Sequence, residues 1–185
     1  MVYTIPWILN LPKDSATGEL IGKRIIPFWG SDDTPYETFS NFHPCSLQWN
    51  GITFPTSEHL FMAHKAMYFG DVDILQDIIT ADSPGKAKRL GRKVAGFDQQ
   101  IWSNISYDIM KIVCYQKIQQ NPDIQEVLIN TGDAIIVEAS PYDRIWGIGL
   151  APTDPDVYLP EKWNGDNRLG FVLMEIRDLI INRPL

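Results

Sequence analysis

Three residues have types and settings suited to covalent or acid–base chemistry. They are Glu58 and Lys65 in "FPTSEHLFMAHKAMYFG" (54–70) and Asp143 in "YDRIWGIG" (142–149). A carboxylate near the start of a helix can act as acid, base or stabiliser of a developing cation. A lysine among apolar groups has its charged form disfavoured and can become a nucleophilic amine. At about 100° per residue, Glu58, Met62, Lys65 and Phe69 share one helix face, and Leu60, Ala63 and Met67 the opposite one. A helix with apolar groups on two sides is expected to be central. Two readings stand: a half-buried ion pair, a poor device for stability, or the wall of a pocket. Asp143 reads either as a second functional carboxylate or as a turn residue after Pro141. His59 and His64 point elsewhere on the wheel and read as structural. No HxxxH or HExxH spacing occurs, so no zinc site is expected.

Rings surround these groups. Trp29 in "PFWG", Trp102 in "QQIWSN" and Trp146 in "RIWGIG" each sit beside Gly, Asn or Ser at the edge of an expected element. Any one of the six tryptophans could be core. Together, these three suggest a slot in which a planar ring stacks. "FSNF" (39–42) places Ser40 and Asn41 between two phenylalanines, and "WGIG" offers a tight backbone for close approach to a ligand. Two carboxylates, a lysine and stacking rings could cleave a nucleoside-like bond, whose oxocarbenium-like sugar is stabilised by negative charge.

The elements that position these groups follow from periodicity and caps. Residues 57–69 form a helix capped by Thr56 and stopped by Gly70. Further helices are expected at 72–80, at 83–93 with Ser83 as N-cap, from Asp98 to Gln119, from Pro122 to about Asn130, and near 167–181. The segment from Asp98 repeats apolar residues at Ile101, Ile105, Ile109, Ile112 and Val113. "RIIPFWG" (24–30) and "DAIIVEAS" (133–140) read as strands, and "SLQWNGITF" (46–54) as a hairpin turning at Asn50-Gly51. Residues 13–23 read as a loop or exposed hairpin, and 147–165 as a surface loop. The fold class is mainly α (α+β), a single compact helical domain with a small β-sheet or hairpin.

The whole chain sets bounds. Its 185 residues suit one domain with a real core. No apolar run is long enough to span a membrane, and the N-terminus lacks the marks of a signal peptide. Cys45 and Cys114 form no metal-ligand pair and read as reduced thiols of a cytoplasmic protein. The net charge of −7 argues against a general nucleic-acid-binding surface. It leaves room for a small pocket for one anionic group.

"FWG…ETFSNF", "WNGITFPTSEHLFMAHKA", "AKRLGR", Trp102 with Met110, "WGIG" and "NRLGFVLMEIRD" together resemble the YbiA-like, or NADAR, superfamily, from about Ile26 to Asp178. The resemblance implies a YbiA-like domain over 26–185, with 1–25 an extension of undetermined role. It implies an N-glycosidase without metal or organic cofactor. Its substrate would be small and nucleotide-like: ADP-ribose on a modified guanine, with ADP-ribosylated nucleic acid as a local partner, or a ribosylamino-pyrimidine phosphate of riboflavin synthesis. A non-catalytic module that binds ADP-ribose or NAD is the reading from another class.

By the same resemblance, Glu58 is the leading catalytic carboxylate and Lys65 a Schiff-base nucleophile. Asp143 is a general acid/base or ribose-orienting group, and Trp146 a stacking ring beside Gly147 and Gly149. Trp29, Gly30, Ser40, Asn41, Phe42 and Trp102 shape the pocket. Asn167, Arg168 and Gly170 open the last helix, whose N-terminus could hold a phosphate. The long connection "LAPTDPDVYLPEKWNGD" departs from the brief one of the shorter riboflavin-type members, and the M-A-x-K-A pattern is closer to the ADP-ribose branch; both set the riboflavin substrate second.

Overall fold

The computed structural model describes residues 2–30 and 33–182. Its helices are α1 (Ile5–Leu9), α2 (Ser57–Phe69), α3 (Val72–Ile79), α4 (Pro84–Gly91), α5 (Gln99–Gln120), α6 (Pro122–Ile129) and α7 (Arg168–Ile181). Its strands are β1 (Ile25–Phe28), β2 (Leu47–Trp49), β3 (Ile52–Phe54) and β4 (Ile135–Glu138). The mainly helical α+β class is as the sequence implied. The chain divides into two compact units: the N-terminal segment to Ser40 together with residues from Glu126 onward, and Asn41–Gln125.

In the first unit, β1 and β4 pair in parallel, with Ile25 opposite Ile135 and Phe28 opposite Glu138. Ile26, Phe28, Ile135, Ile136 and Val137 are all buried. Continuous burial, not alternation, is what a covered parallel pair requires. The pairing itself was not foreseen from the sequence, because the two strands lie more than a hundred residues apart. Helix α7 packs on β4 and is buried continuously from Leu169 to Arg177. The Arg177 guanidinium donates from Nη1 to Thr131 Oγ1 and to the Ala134 carbonyl, both at 2.8 Å.

The sequence left residues 1–25 without a role. In the structure they are packed within this same unit. Ile8 is fully buried, the Tyr3 hydroxyl donates to Asp178 Oδ2 at 2.7 Å, and Lys13 pairs with Glu161 at 3.2 Å. A bridge between Lys13 and Leu20 closes the expected hairpin. The 147–165 span is more than a surface loop. Pro155 and Pro160 each start a 3₁₀ turn, and Val157 and Pro160 are buried. Proline's fixed φ favours such starts, and Asp154 caps the first by accepting from the Asp156 N–H at 2.9 Å.

In the second unit, β2 and β3 form the hairpin, turned by Asn50 and Gly51 at φ of 49° and 79°. Helix α2 packs against α3, α4, α5 and the hairpin. Its N-cap is Thr56, whose hydroxyl accepts from the His59 N–H, and Gly70 ends it at φ 74°. Ser83, expected to cap α4, instead turns its hydroxyl to Asp82. The buried stripe of α5 does not follow its apolar repeat. It runs through Ser106, Met110, Val113, Cys114, Lys117 and Ile118, while Ile101 and Ile112 are exposed. Hydropathy could not find a stripe that includes a serine and a lysine.

Candidate functional site

The second unit carries the helix with both candidate reacting groups. Residues Ser57–Met62 are all buried, as are Lys65 and Ala66. Glu58 is 4% exposed and sits in the first turn of α2, where the positive end of the helix dipole favours a carboxylate. Its N–H donates to the Asn41 carbonyl at 2.9 Å, so the "FSNF" segment fixes the start of the helix. The Asn41 side chain is also held, by Met110 Sδ at 3.3 Å and the Cys114 thiol at 3.9 Å.

Lys65 lies two turns further on, about 10 Å along the axis. Its Nζ stands 3.8 Å from the centre of the Phe97 ring and 5.6 Å from that of Trp102. Trp102 packs in turn on Phe61 at 5.3 Å and Phe69 at 6.4 Å. The ion-pair reading therefore gives way: rings, not Glu58, face the amine. Burial is the main cause that holds the Lys65 amine below the ordinary lysine range, and the charge of Arg92 adds to it. The rings' cation–π attraction opposes both.

The histidines of α2 behave as structure. His59 is fully buried between Thr56 Oγ1, 2.7 Å from Nδ1, and the Ala81 carbonyl, 3.2 Å from Nε2. His64 packs edge-on to Trp49 at 5.1 Å. Burial lowers the pKa of both, so both favour the neutral ring. Among the described residues, no group of three or more His, Cys, Asp or Glu could hold a metal ion, and no helix is long and apolar enough to cross a membrane.

In the first unit the motif residues serve the backbone. Asp143 Oδ1 accepts from the N–H groups of Ile145 (2.9 Å) and Trp146 (2.8 Å), which makes it the hinge of the turn that presents Trp146. The Arg168 guanidinium lies 5.0 Å over the Trp146 ring. Asn167, fully buried at φ 51°, donates from Nδ2 to the Ile136 carbonyl (2.9 Å) and accepts at Oδ1 from the Glu138 N–H (3.0 Å). It thus clamps β4 to the start of α7. A Cβ at Gly170 would collide with the Ile136 carbonyl and the Asn167 amide. A Cβ at Gly147 would stand 2.7 Å from the Glu138 carbonyl, and Gly149 adopts φ 72°.

Two expectations change here. The close approach expected at "WGIG" exists, but at Gly147 the approaching group is the protein's own backbone. The phosphate expected at the N-terminus of α7 meets occupied donors: the N–H groups of Asn167, Arg168 and Leu169 go to the carbonyls of Gly147, Ile145 and Trp146. Those bonds exist because the turn after Asp143 folds back onto the helix start.

Trp29 lies 6.1 Å from Tyr142, beside exposed Gly30 at φ 59°. Trp29 and Trp146 therefore belong to the first unit and Trp102 to the second. Ser40 is buried and closes a 3₁₀ turn over Pro35–Phe39, and Phe42 is 40% exposed under Lys88 Nζ at 5.6 Å. Sequence reasoning missed Phe97 and Arg92. Phe97 follows Gly96, a positive-φ residue at the foot of α5, and Arg92 lies near the end of the basic "KAKRLGRK" run. Both signals were present but carried no periodicity.

The NADAR domain description matches residues 27–181. The chain is 42% identical over 146 residues to N-glycosidase R617 of Acanthamoeba polyphaga mimivirus, covering 76% of this chain and 85% of that protein. It is 32% identical over 189 residues to the chloroplastic riboflavin biosynthesis protein PYRR of Zea mays, covering 96% of this chain but 28% of that longer protein. The NMR structure of the E. coli protein YbiA superposes with a TM-score of 0.71 at 29% identity, over 95% of this chain and 98% of that one. The chain belongs to the NADAR-domain family.

Proposed function

We propose that this family member is an N-glycosidase that releases ADP-ribose from an ADP-ribosylated guanine, with Lys65 as nucleophile. The observation that carries the reading is the setting of Lys65: a buried amine, lowered in basicity, with its Nζ 3.8 Å from one ring centre and 5.6 Å from another. Burial penalises the charged form of the amine, and the neutral amine that this favours is the form a nucleophile needs; the rings over Nζ distinguish Lys65 from the buried Lys117 of α5.

The neutral amine attacks the anomeric carbon, and the bond from that carbon to the base nitrogen breaks. The base leaves with a proton, and the opened sugar is held as an imine to Lys65. Water then hydrolyses the imine, freeing the amine and the sugar aldehyde, which recloses. Glu58 stabilises the positive charge on the sugar and relays the proton. Trp102 and Phe42 offer rings to the base, Asn41 sets the start of α2, and Ser40 closes the 3₁₀ turn before it. Asp143 holds the turn that carries Trp146 and its partner Arg168, with Gly147, Gly149, Asn167 and Gly170 fixing that backbone. Trp29 and Gly30, in the same unit as Trp146, are proposed as further binding residues. The acidic chain engages any nucleic-acid strand locally, and the reaction belongs to nucleotide metabolism in the cytoplasm.

The test is release of ADP-ribose from an ADP-ribosylated guanosine oligonucleotide, with Glu58→Gln folded but inactive. Full activity in that variant contradicts the mechanism. A second reading, hydrolysis of a ribosylamino-pyrimidine phosphate, is favoured by the riboflavin biosynthesis name of the maize relative. Strong preference for that smaller substrate in a direct comparison would replace the first reading.

A further inference from the structure

Of the "KAKRLGRK" run (86–93), only the charge of Arg92 has entered the chemistry above. The run holds Lys86, Lys88, Arg89, Arg92 and Lys93 without one acidic residue, in a chain of net charge −7. Helix α4 ends at Gly91, where a Cβ would collide with the Met62 side chain. That contact seats the end of α4 directly on α2, one turn before Lys65. Arg92 continues the helix at φ −77°, ψ −14°, so Lys88 and Arg92, four residues apart, share one face. Lys88 Nζ lies 5.6 Å over the Phe42 ring, and Phe42 directly follows the Asn41 that anchors Glu58. Arg92 is exposed, and its charge reaches the Lys65 amine.

We infer that Lys88 and Arg92 form the anion site of this enzyme and bind the phosphate groups of its substrate beside Lys65 and Phe42. Arginine presents a planar fork suited to phosphate oxygens, and lysine adds a mobile point charge. The α7 N-terminus cannot take this part, since its first N–H groups are bonded to carbonyls. The site makes an anionic group on the substrate the feature it recognises. The inference rests on the proposed activity for its purpose, but its test does not need turnover.

The experiment is calorimetric titration of the full chain with ADP-ribose, ribose 5-phosphate and adenosine, repeated on Arg92→Gln, Lys88→Gln and Arg92→Lys. Arg92→Gln and Lys88→Gln should each weaken ADP-ribose tenfold or more and leave adenosine unchanged, and Arg92→Lys should recover part of the loss. Comparable loss for ribose 5-phosphate assigns the site to a monoester, and loss confined to ADP-ribose assigns it to the diphosphate. Unchanged ADP-ribose binding in both Gln variants overturns the inference. So does equal loss of adenosine, or absence of phosphate-ligand binding to the unmodified protein. If ADP-ribose binds through these residues and the modified guanosine is not hydrolysed, the activity falls and the anion site stands. If hydrolysis proceeds and Arg92→Gln leaves KM unchanged, the reverse holds.

Discussion

Helix α2 and the 143–170 segment both carry family motifs, yet they use them in opposite ways. On α2 the motif residues are side chains held away from water: Glu58 at 4% exposure and Lys65 at 8%, the latter against rings. Their burial costs stability, a cost for which the proposed activity gives a reason. In 143–170 the motif residues hold backbone. Asp143 bonds two N–H groups, Asn167 bridges β4 to α7, and Gly147 and Gly170 make room for carbonyls. A motif residue therefore need not touch a ligand; in the second region it builds the surface that presents Trp146 and Arg168.

The contrast breaks most sharply under substitution. Glu58→Gln should lower kcat/KM by about 10³-fold, the order expected for an acid–base group, with thermal unfolding nearly unchanged. Gly170→Ala should behave in the reverse sense. It should lose about 3 kcal/mol in denaturant unfolding through forced backbone displacement, and the fraction that remains folded should keep its activity. Asn167→Gly keeps the positive φ but leaves the Ile136 carbonyl and Glu138 N–H without their partner. A loss of about 2 kcal/mol is expected in the same measurement.

Asp143 lies at the border between the two behaviours. Asp143→Asn retains an oxygen for the Ile145 and Trp146 N–H groups and should keep activity within about tenfold of the unmodified protein, the scale of one lost weak contact. Asp143→Ala should lose more than that. Equal, deep loss in both would make Asp143 an acid–base residue like Glu58.

The smallest effect concerns pH. The Lys65 pKa is lowered by burial and then by Arg92, so the neutral amine appears below the ordinary value of 10.5. Activity should rise with pH along an acid limb set by that depressed pKa. Removing the Arg92 charge raises the Lys65 pKa, so Arg92→Gln should move the limb to higher pH. In stability the sign is also fixed. Between the folded and unfolded pKa values the unfolded chain binds more protons, so unfolding free energy should rise with pH there. Tyr3 acts oppositely: burial and the bond to Asp178 push its pKa up to about 12, so its contribution is lost as pH climbs from 10 toward 12.

Regular helices made the first region easy to find in the sequence. Fixed angular spacing put Glu58 and Lys65 on one face, and Thr56 and Gly70 marked the ends. The hairpin was equally plain, because Asn50-Gly51 fits one turn type. The β1–β4 pairing, the buried stripe of α5 through Lys117, and the ring of Phe97 over Lys65 were not. Each depends on contacts between distant residues, or on polar side chains in apolar places, and neither leaves a local period. The turn role of Asp143 was one of two readings the sequence left open, and that of Asn167 was hidden, for another reason: a side chain that bonds backbone looks, in sequence, the same as one that binds substrate.

The central claim is that Lys65 is a nucleophile. Incubation with an ADP-ribosylated guanosine oligonucleotide and borohydride, followed by intact mass measurement, tests it directly. A stable adduct carrying the sugar phosphate is expected on the unmodified chain and none on Lys65→Ala. Release of ADP-ribose without an adduct, or an adduct that persists in Lys65→Ala, would contradict it.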